Sequence, residues 1–201
     1  MKQSYFLLLL TLLTLAPVKA KADVWAVKSN LLYDVAGAPN IGVEYGWKGQ
    51  WSVSADITSP WWVDKKHNQW CYEMLNVGLE CRYWLNPWEN TTSEHGEYWN
   101  SNTKLTGHFV GLYTNGGCFD FGHDYIGWQS KWFWTSGVSY GYNFLLNDNL
   151  RLECNIGIGY LQADYTRYNT VYDGSGIYLK EEGTFRWFGP TKAGVSLIWV
   201  F

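Results

Sequence analysis

The sequence has little charge and no excess of either sign. Only 16% of its 201 residues are charged, 15 Lys+Arg against 18 Asp+Glu, which gives a net charge of −3 and a pI near 5.8. A chain so balanced has no basic face to track a phosphate backbone, so nucleic acid is excluded as a partner. There is no apolar run of the roughly 20 residues that a helix needs to cross a bilayer, which excludes a helical membrane bundle. No CxxC pair or Cys/His spacing typical of zinc is present. Nor is there a GxSxG elbow, an HExxH helix, a phosphate-binding glycine loop or a dinucleotide fingerprint, and so the sequence implies no cofactor and no metal.

What the chain has instead is aromatic residues and glycine. Fourteen Trp, 15 Tyr and 9 Phe make 19% of the residues, beside 21 Gly, a mixture that favours strands over helices. The first 22 residues read as a secretory signal peptide: Met1-Lys2-Gln3 is a short basic start, Tyr5 to Ala16 is apolar, Pro17 closes the run, and Ala20-Lys21-Ala22 fits a small-x-small cleavage site. Removing Lys2, Lys19 and Lys21 leaves 12 cations against 18 carboxylates, a mature charge of −6 for a single domain over 23–201. An exported chain with four cysteines would ordinarily carry disulfides. Cys71 and Cys81, however, fall on one expected strand, about 33 Å apart at ~3.3 Å per residue, far beyond disulfide reach. Cys81 and Cys154 read as small apolar side chains.

The mature chain alternates with period two, broken by turns. Strands are expected at about 24–35, 40–47, 51–58, 70–85, 105–114, 132–144, 150–160 and 187–201. The faces of the fifth cannot be assigned from its sequence. An even number puts both termini at one end, with connections 48–50, 86–104 and 147–149 beside them and loops 36–39, 59–69, 115–131 and 166–186 at the other. The connection 86–104 is unusually long for its end.

Alternation alone fits a soluble barrel with an apolar interior as well as a membrane barrel with an apolar exterior. Side-chain volume separates them. Gly42, Gly46, Gly78, Gly137, Gly141, Gly157, Gly159 and Gly194 all fall on the polar face, opposite bulky aliphatics, Trp and Tyr. Space is scarce inside an eight-stranded barrel, so the glycine-bearing polar face is expected to point in and the aromatic face toward lipid. The predicted fold is an all-β, eight-stranded antiparallel up-and-down transmembrane β-barrel. That orientation places Lys28, Arg82, Arg151 and Lys192 inside with Asp34, Glu44, Asp56, Glu80 and Glu153. The near-cancellation predicts a salt-bridged plug rather than a pore, with Asp34 and Lys28 the members nearest a rim.

The segments Trp25-Ala26-Val27-Lys28-Ser29-Asn30-Leu31-Leu32-Tyr33-Asp34, Gly78-Leu79-Glu80-Cys81-Arg82-Tyr83-Trp84, Gly107-His108-Phe109-Val110-Gly111 and Gly189-Pro190-Thr191-Lys192-Ala193-Gly194-Val195-Ser196-Leu197 resemble the family called domain of unknown function 3575. The likeness covers nearly the whole mature chain. It implies a small outer-membrane barrel of Gram-negative anaerobes and their relatives, some encoded near genes for fimbria-type surface structures, and it carries over no activity or catalytic residue. Phe201, preceded by Trp199, Leu197 and Val195, resembles the signal by which barrel-insertion machinery recognises its clients.

The sequence therefore leads to a non-enzymatic protein of the bacterial outer membrane, a structural or assembly component for a surface structure. Its expected partners are outer-membrane lipid, the insertion machinery and a periplasmic or surface protein. Two alternatives stay open: an outer-leaflet lipid-modifying enzyme and a soluble ligand-binding barrel. For the first, the candidate groups are His67, Asp120, His123 and Asp124 in the exterior loops, with His123 as general base and an aspartate orienting it.

Overall fold

The computed structural model describes residues 24–47, 49–63, 70–85, 104–123, 126–170 and 177–201. The expected signal peptide, His67, Asp124 and nearly all of the 86–104 connection lie outside the described residues. Nine strands and one short helix follow in chain order: β1 (Val24–Asn30), α1 (Leu31–Val35), β2 (Asn40–Trp47), β3 (Trp51–Thr58), β4 (Trp61–Val63), β5 (Trp70–Trp84), β6 (Gly107–His123), β7 (Ile126–Leu145), β8 (Leu150–Thr170) and β9 (Ile177–Val200).

Every pairing is antiparallel. Sequential neighbours pair throughout except β3 and β4, β1 pairs with β9, and β3 pairs with β5, so the sheet closes into a ring. β4 resumes the course of β3 beyond Ser59-Pro60 and pairs with the start of β5, Trp61 opposite Glu73. The ring thus has eight members, the third in two pieces. Both described ends lie together: Phe201 N–H donates to Trp25 O at 2.8 Å, and Val200 N–H to Asn149 O at 2.8 Å.

The glycine-bearing face does point inward. Val24 and Ala26 are 1% exposed while Trp25 between them is 49% exposed. On β6, Gly107, Phe109, Gly111 and Tyr113 face in and His108, Val110 and Leu112 face out, which settles the one strand whose sequence is ambiguous. The crowding is physical: a Cβ at Gly141 would fall 2.4 Å from Cζ of Phe109, and one at Gly78 2.6 Å from Oδ1 of Asp56.

Two expectations fail. The first strand stops at Asn30, whose side-chain Oδ1 accepts from Leu32 N–H at 3.0 Å and starts α1. The loops expected at 115–131 and 166–186 are largely strand, because β6 to β9 run on well past the ring. The ladders on both sides of β7 shift register here, between Gly117 and Phe119 and between Ser130 and Trp132, as one extra residue on β7 requires.

In this extension the polarity of the two faces reverses. In the ring, outward positions are apolar: Leu75, Val77, Leu79, Leu112, Val138, Ile156 and Ile158 are all exposed. Further along the same outward rows stand Glu73, Asp120, Gln129, Gln162, Asp164, Thr166 and Glu182. The inward rows there carry Met74, Phe119, Phe121, Trp128, Phe133, Tyr165 and Phe185, which together with Leu161, Ala163, Arg167 and Glu181 line a concave, largely apolar hollow of about 690 Å³.

Candidate functional site

The interior of the ring is built in layers. At the end holding the turns, Val24, Ala26, Trp84, Leu105, Phe109, Ile198 and Val200 form an apolar plug. Leu105 enters it from a left-handed backbone conformation, φ 53, and Asn143 Nδ2 donates to its carbonyl at 3.0 Å. Arg151 lies at this end. Its guanidinium donates to the carbonyls of Asn147 at 2.8 Å, Asp148 at 3.1 Å and Leu150 at 3.3 Å, closing the tight turn. Strand parity places Arg151 inside, as expected, at the turn end of the bore.

Above the plug sits a charged layer centred on Arg82, which is 1% exposed. Nε and Nη2 reach Glu80 Oε2 at 2.8 and 2.6 Å, Nη1 reaches Glu44 at 3.0 Å and Glu153 at 2.6 Å, and Nη2 reaches Glu153 Oε1 at 3.0 Å. β2, β5 and β8 are thereby tied across the bore. Lys28 pairs with Glu44 at 3.4 Å and Lys192 with Glu80 at 2.8 Å, so three cations face three carboxylates. Every carboxylate oxygen of the layer is met by a donor. Ser52 donates to Glu44 at 2.6 Å and receives from Trp84 Nε1 at 2.9 Å, Asn155 Nδ2 donates to Glu153 at 2.6 Å, and Ser139 donates to Glu80. Arg82 lies 4.2 Å from the Phe109 ring centroid and Lys192 5.1 Å from that of Tyr113. Each charge is therefore both paired and hydrogen-bonded, the condition under which buried ions persist.

The other two sequence-predicted interior charges sit apart from this layer. Asp34 stands on α1 at the open end of the ring, where its carboxylate accepts from Ser29 at 2.7 Å and Asn40 at 2.8 Å. It is exposed there and does not join the network. Asp56 faces a polar cavity of about 60 Å³ above the charged layer, lined also by Asn30, Tyr33, Thr58, Asn76, Asn115, Asn155 and the two lysines. Burial, then the charge of Asp56, pushes the Tyr33 phenol above its ordinary range.

On the extension, Asp120 and His123 are three residues apart on one strand, so their side chains leave opposite faces of the sheet and do not form the expected pair. Asp120 instead accepts from the Tyr168 phenol at 2.5 Å. Tyr168 reaches it across bare backbone: a Cβ at Gly127 would fall 2.1 Å from its Cζ. Cys71, Glu73 and Asp120 bring their ligand atoms within 4.8 Å of one another, a spacing that could hold a cation. Burial, then Asp120 and Glu73, pushes the Cys71 thiol up to about 11. Burial and the bond to Asp120 raise the Tyr168 phenol as well. This outward cluster was not legible in the sequence, because its members come from separate strands and 115–131 reads as loop. All four cysteines are free thiols, Cys81 and Cys154 on the exposed outward face.

The model of the family described as protein of unknown function (DUF3575) matches residues 6–201, nearly the whole chain. The chain belongs to DUF3575. No curated protein matches it. For this DUF3575 protein, the plug and the charged layer are the dominant features of the interior. What that arrangement does chemically is fix the ring: it ties strands distant in sequence and fills the bore.

Proposed function

We propose that this DUF3575 protein is a non-enzymatic outer-membrane β-barrel with a plugged interior, a structural or assembly component of a bacterial surface structure, fimbria-type structures included. One observation carries the membrane reading: bulky apolar side chains are exposed on the outward face of the ring while the charges are paired inside. From Leu150 to Tyr160, ten steps of ~3.3 Å tilted by about 40° rise roughly 25 Å, the height of a lipid-facing band. Aromatic groups stand toward its edges, with Trp25 against Tyr45 at 4.8 Å and Trp51 against Tyr83 at 5.0 Å toward the turn end, and Trp134 near Tyr160 at 6.1 Å toward the other. The reversal of polarity in β5 to β9 supports a strand segment that leaves the bilayer for water. Lipid is then the first partner, and the insertion machinery engages the β9 edge ending at Phe201. The aromatic hollow of the extension supports the assembly role, since it offers apolar surface beyond the bilayer.

Fractionation tests the compartment: the protein should sediment with outer membranes, resist carbonate extraction and run at a heat-dependent position on a gel. Recovery in the soluble fraction without detergent would overturn it. Photo-crosslinkers placed at Phe121, Trp128 and Phe185 in cells test the assembly role by trapping one specific surface or periplasmic neighbour. Uniform labelling of lipid alone would overturn that part.

A further inference from the structure

We propose that the cavity at the open end of the ring binds a vicinal diol, the hydroxyl-bearing end of a sugar or glycerol unit. The inference comes from the hydrogen-bonding balance of the walls. Their charged donors are already engaged with carboxylates: Lys28 with Glu44, Lys192 with Glu80, and Arg82 with three glutamates. Acceptors are left over. Asn76 is 7% exposed, and its Oδ1 has no protein partner. Asn155 commits its Nδ2 to Glu153, which fixes the amide orientation and leaves its Oδ1 without a protein partner too. Asp56 accepts no hydrogen bond from a described residue. Both its oxygens and Asn115 Oδ1 lie 2.6–2.7 Å from the point a Cβ on Gly78 would occupy, so bare backbone there opens a cradle of acceptors.

A ligand for such walls must donate hydrogen bonds. Lys28 and Lys192 line the same cavity and repel a cation, which leaves neutral hydroxyls as the donors that fit. A carboxylate accepting from adjacent O–H groups forms charge-assisted bonds, the stronger kind. The cavity of about 60 Å³ has room for a few water-sized groups, the size of two hydroxyls and their carbons rather than a whole sugar ring. The remainder of the ligand would extend toward α1 and the open end.

The protein refolded in amine-oxide micelles, which carry no sugar, should bind glycerol and propane-1,2-diol saturably when titrated by calorimetry and ligand-observed NMR. Propan-1-ol, with one hydroxyl, should bind about tenfold more weakly or worse. Asp56→Asn and Asn76→Leu, near-isosteric changes away from the Arg82 layer, should each weaken diol binding by about tenfold or more while the heat-dependent gel shift stays intact. Repeating the titration in vesicles with and without lipopolysaccharide separates the sources: a raised apparent Kd for glycerol with lipopolysaccharide assigns the site to a lipid-borne saccharide, and an unchanged Kd to a free one. Absence of saturable diol binding, equal affinity for ethylammonium, or full affinity in both variants would overturn the proposal.

Discussion

Arg82→Met should be among the most damaging single changes in this chain. Arg82 engages Glu44, Glu80 and Glu153 through five contacts of 2.6–3.0 Å. Methionine keeps much of the stem's volume but leaves two cations against three carboxylates. Glu44 retains Lys28 and Glu80 retains Lys192, whereas Glu153 loses its only ion-pair partner among the described residues and keeps just the Asn155 amide. Breaking a buried pair from one side costs about 3–5 kcal/mol, and the loss should fall near the upper end because three partners share the guanidinium. Arg82→Met with Glu153→Gln restores two cations against two carboxylates and should recover about half of that loss or more. Guanidinium unfolding in micelles, followed by tryptophan fluorescence and the heat-dependent gel shift, measures both. A single variant within about 1 kcal/mol of the parent, or a double variant no more stable than the single, would refute the view that charge balance governs the layer.

Other expectations follow from the same geometry. Gly141→Ala places a methyl group against the Phe109 ring and should cost about 1–3 kcal/mol, with Phe109→Leu in the same chain returning part of it; a neutral Gly141→Ala would contradict the crowding. Leu79→Arg, on the outward face, should lower stability in vesicles by about 2–4 kcal/mol if that face meets lipid, and an unchanged unfolding midpoint would place it in water. With the other cysteines replaced by alanine, alkylation of Cys71 should accelerate about tenfold per pH unit toward its value of about 11, since the thiolate is the reacting form. Asp120→Asn removes a charge that raises this value and should move the profile to lower pH. A half-maximal rate near the ordinary ~8.5 of a free thiol would show that the cluster does not shield the sulfur.

Much of the ring was legible because period two survives wherever one face is crowded and the other is not. Gly42, Gly78, Gly141 and Gly157 mark the crowded side by volume, and the same parity located Lys28, Glu44, Glu80, Arg82, Glu153 and Lys192. Parity gives the face but not the height along the bore, and so it does not reveal that Arg151 closes the turn at Asn147. The extension was illegible for a related reason. Once the faces exchange polarity, Phe119 and Phe121 fall on the inner row beside Asp120 on the outer, and the extra residue between Ser130 and Trp132 breaks the phase on β7. Asn115-Gly116-Gly117 then looks like a turn. The mouth cavity left no compositional trace, since Asn76, Asn115 and Asn155 carry no charge to count.

The join that closes the ring is short. β1 meets β9 only over Ala26–Asn30 and Val200–Ser196, whereas β8 and β9 run together along Leu150–Thr170. Most other neighbours are joined by short connections and can zip locally, but Ala26 and Val200 must find each other across most of the polypeptide, the slow kind of event in folding. Until they do, two bare strand edges invite pairing with other chains. The guanidinium reaching from β5 to both β2 and β8 therefore acts as a latch: its fork can be filled only when the two halves of the curled sheet have come within one side chain's length, so electrostatic completion and sealing of the seam become a single step.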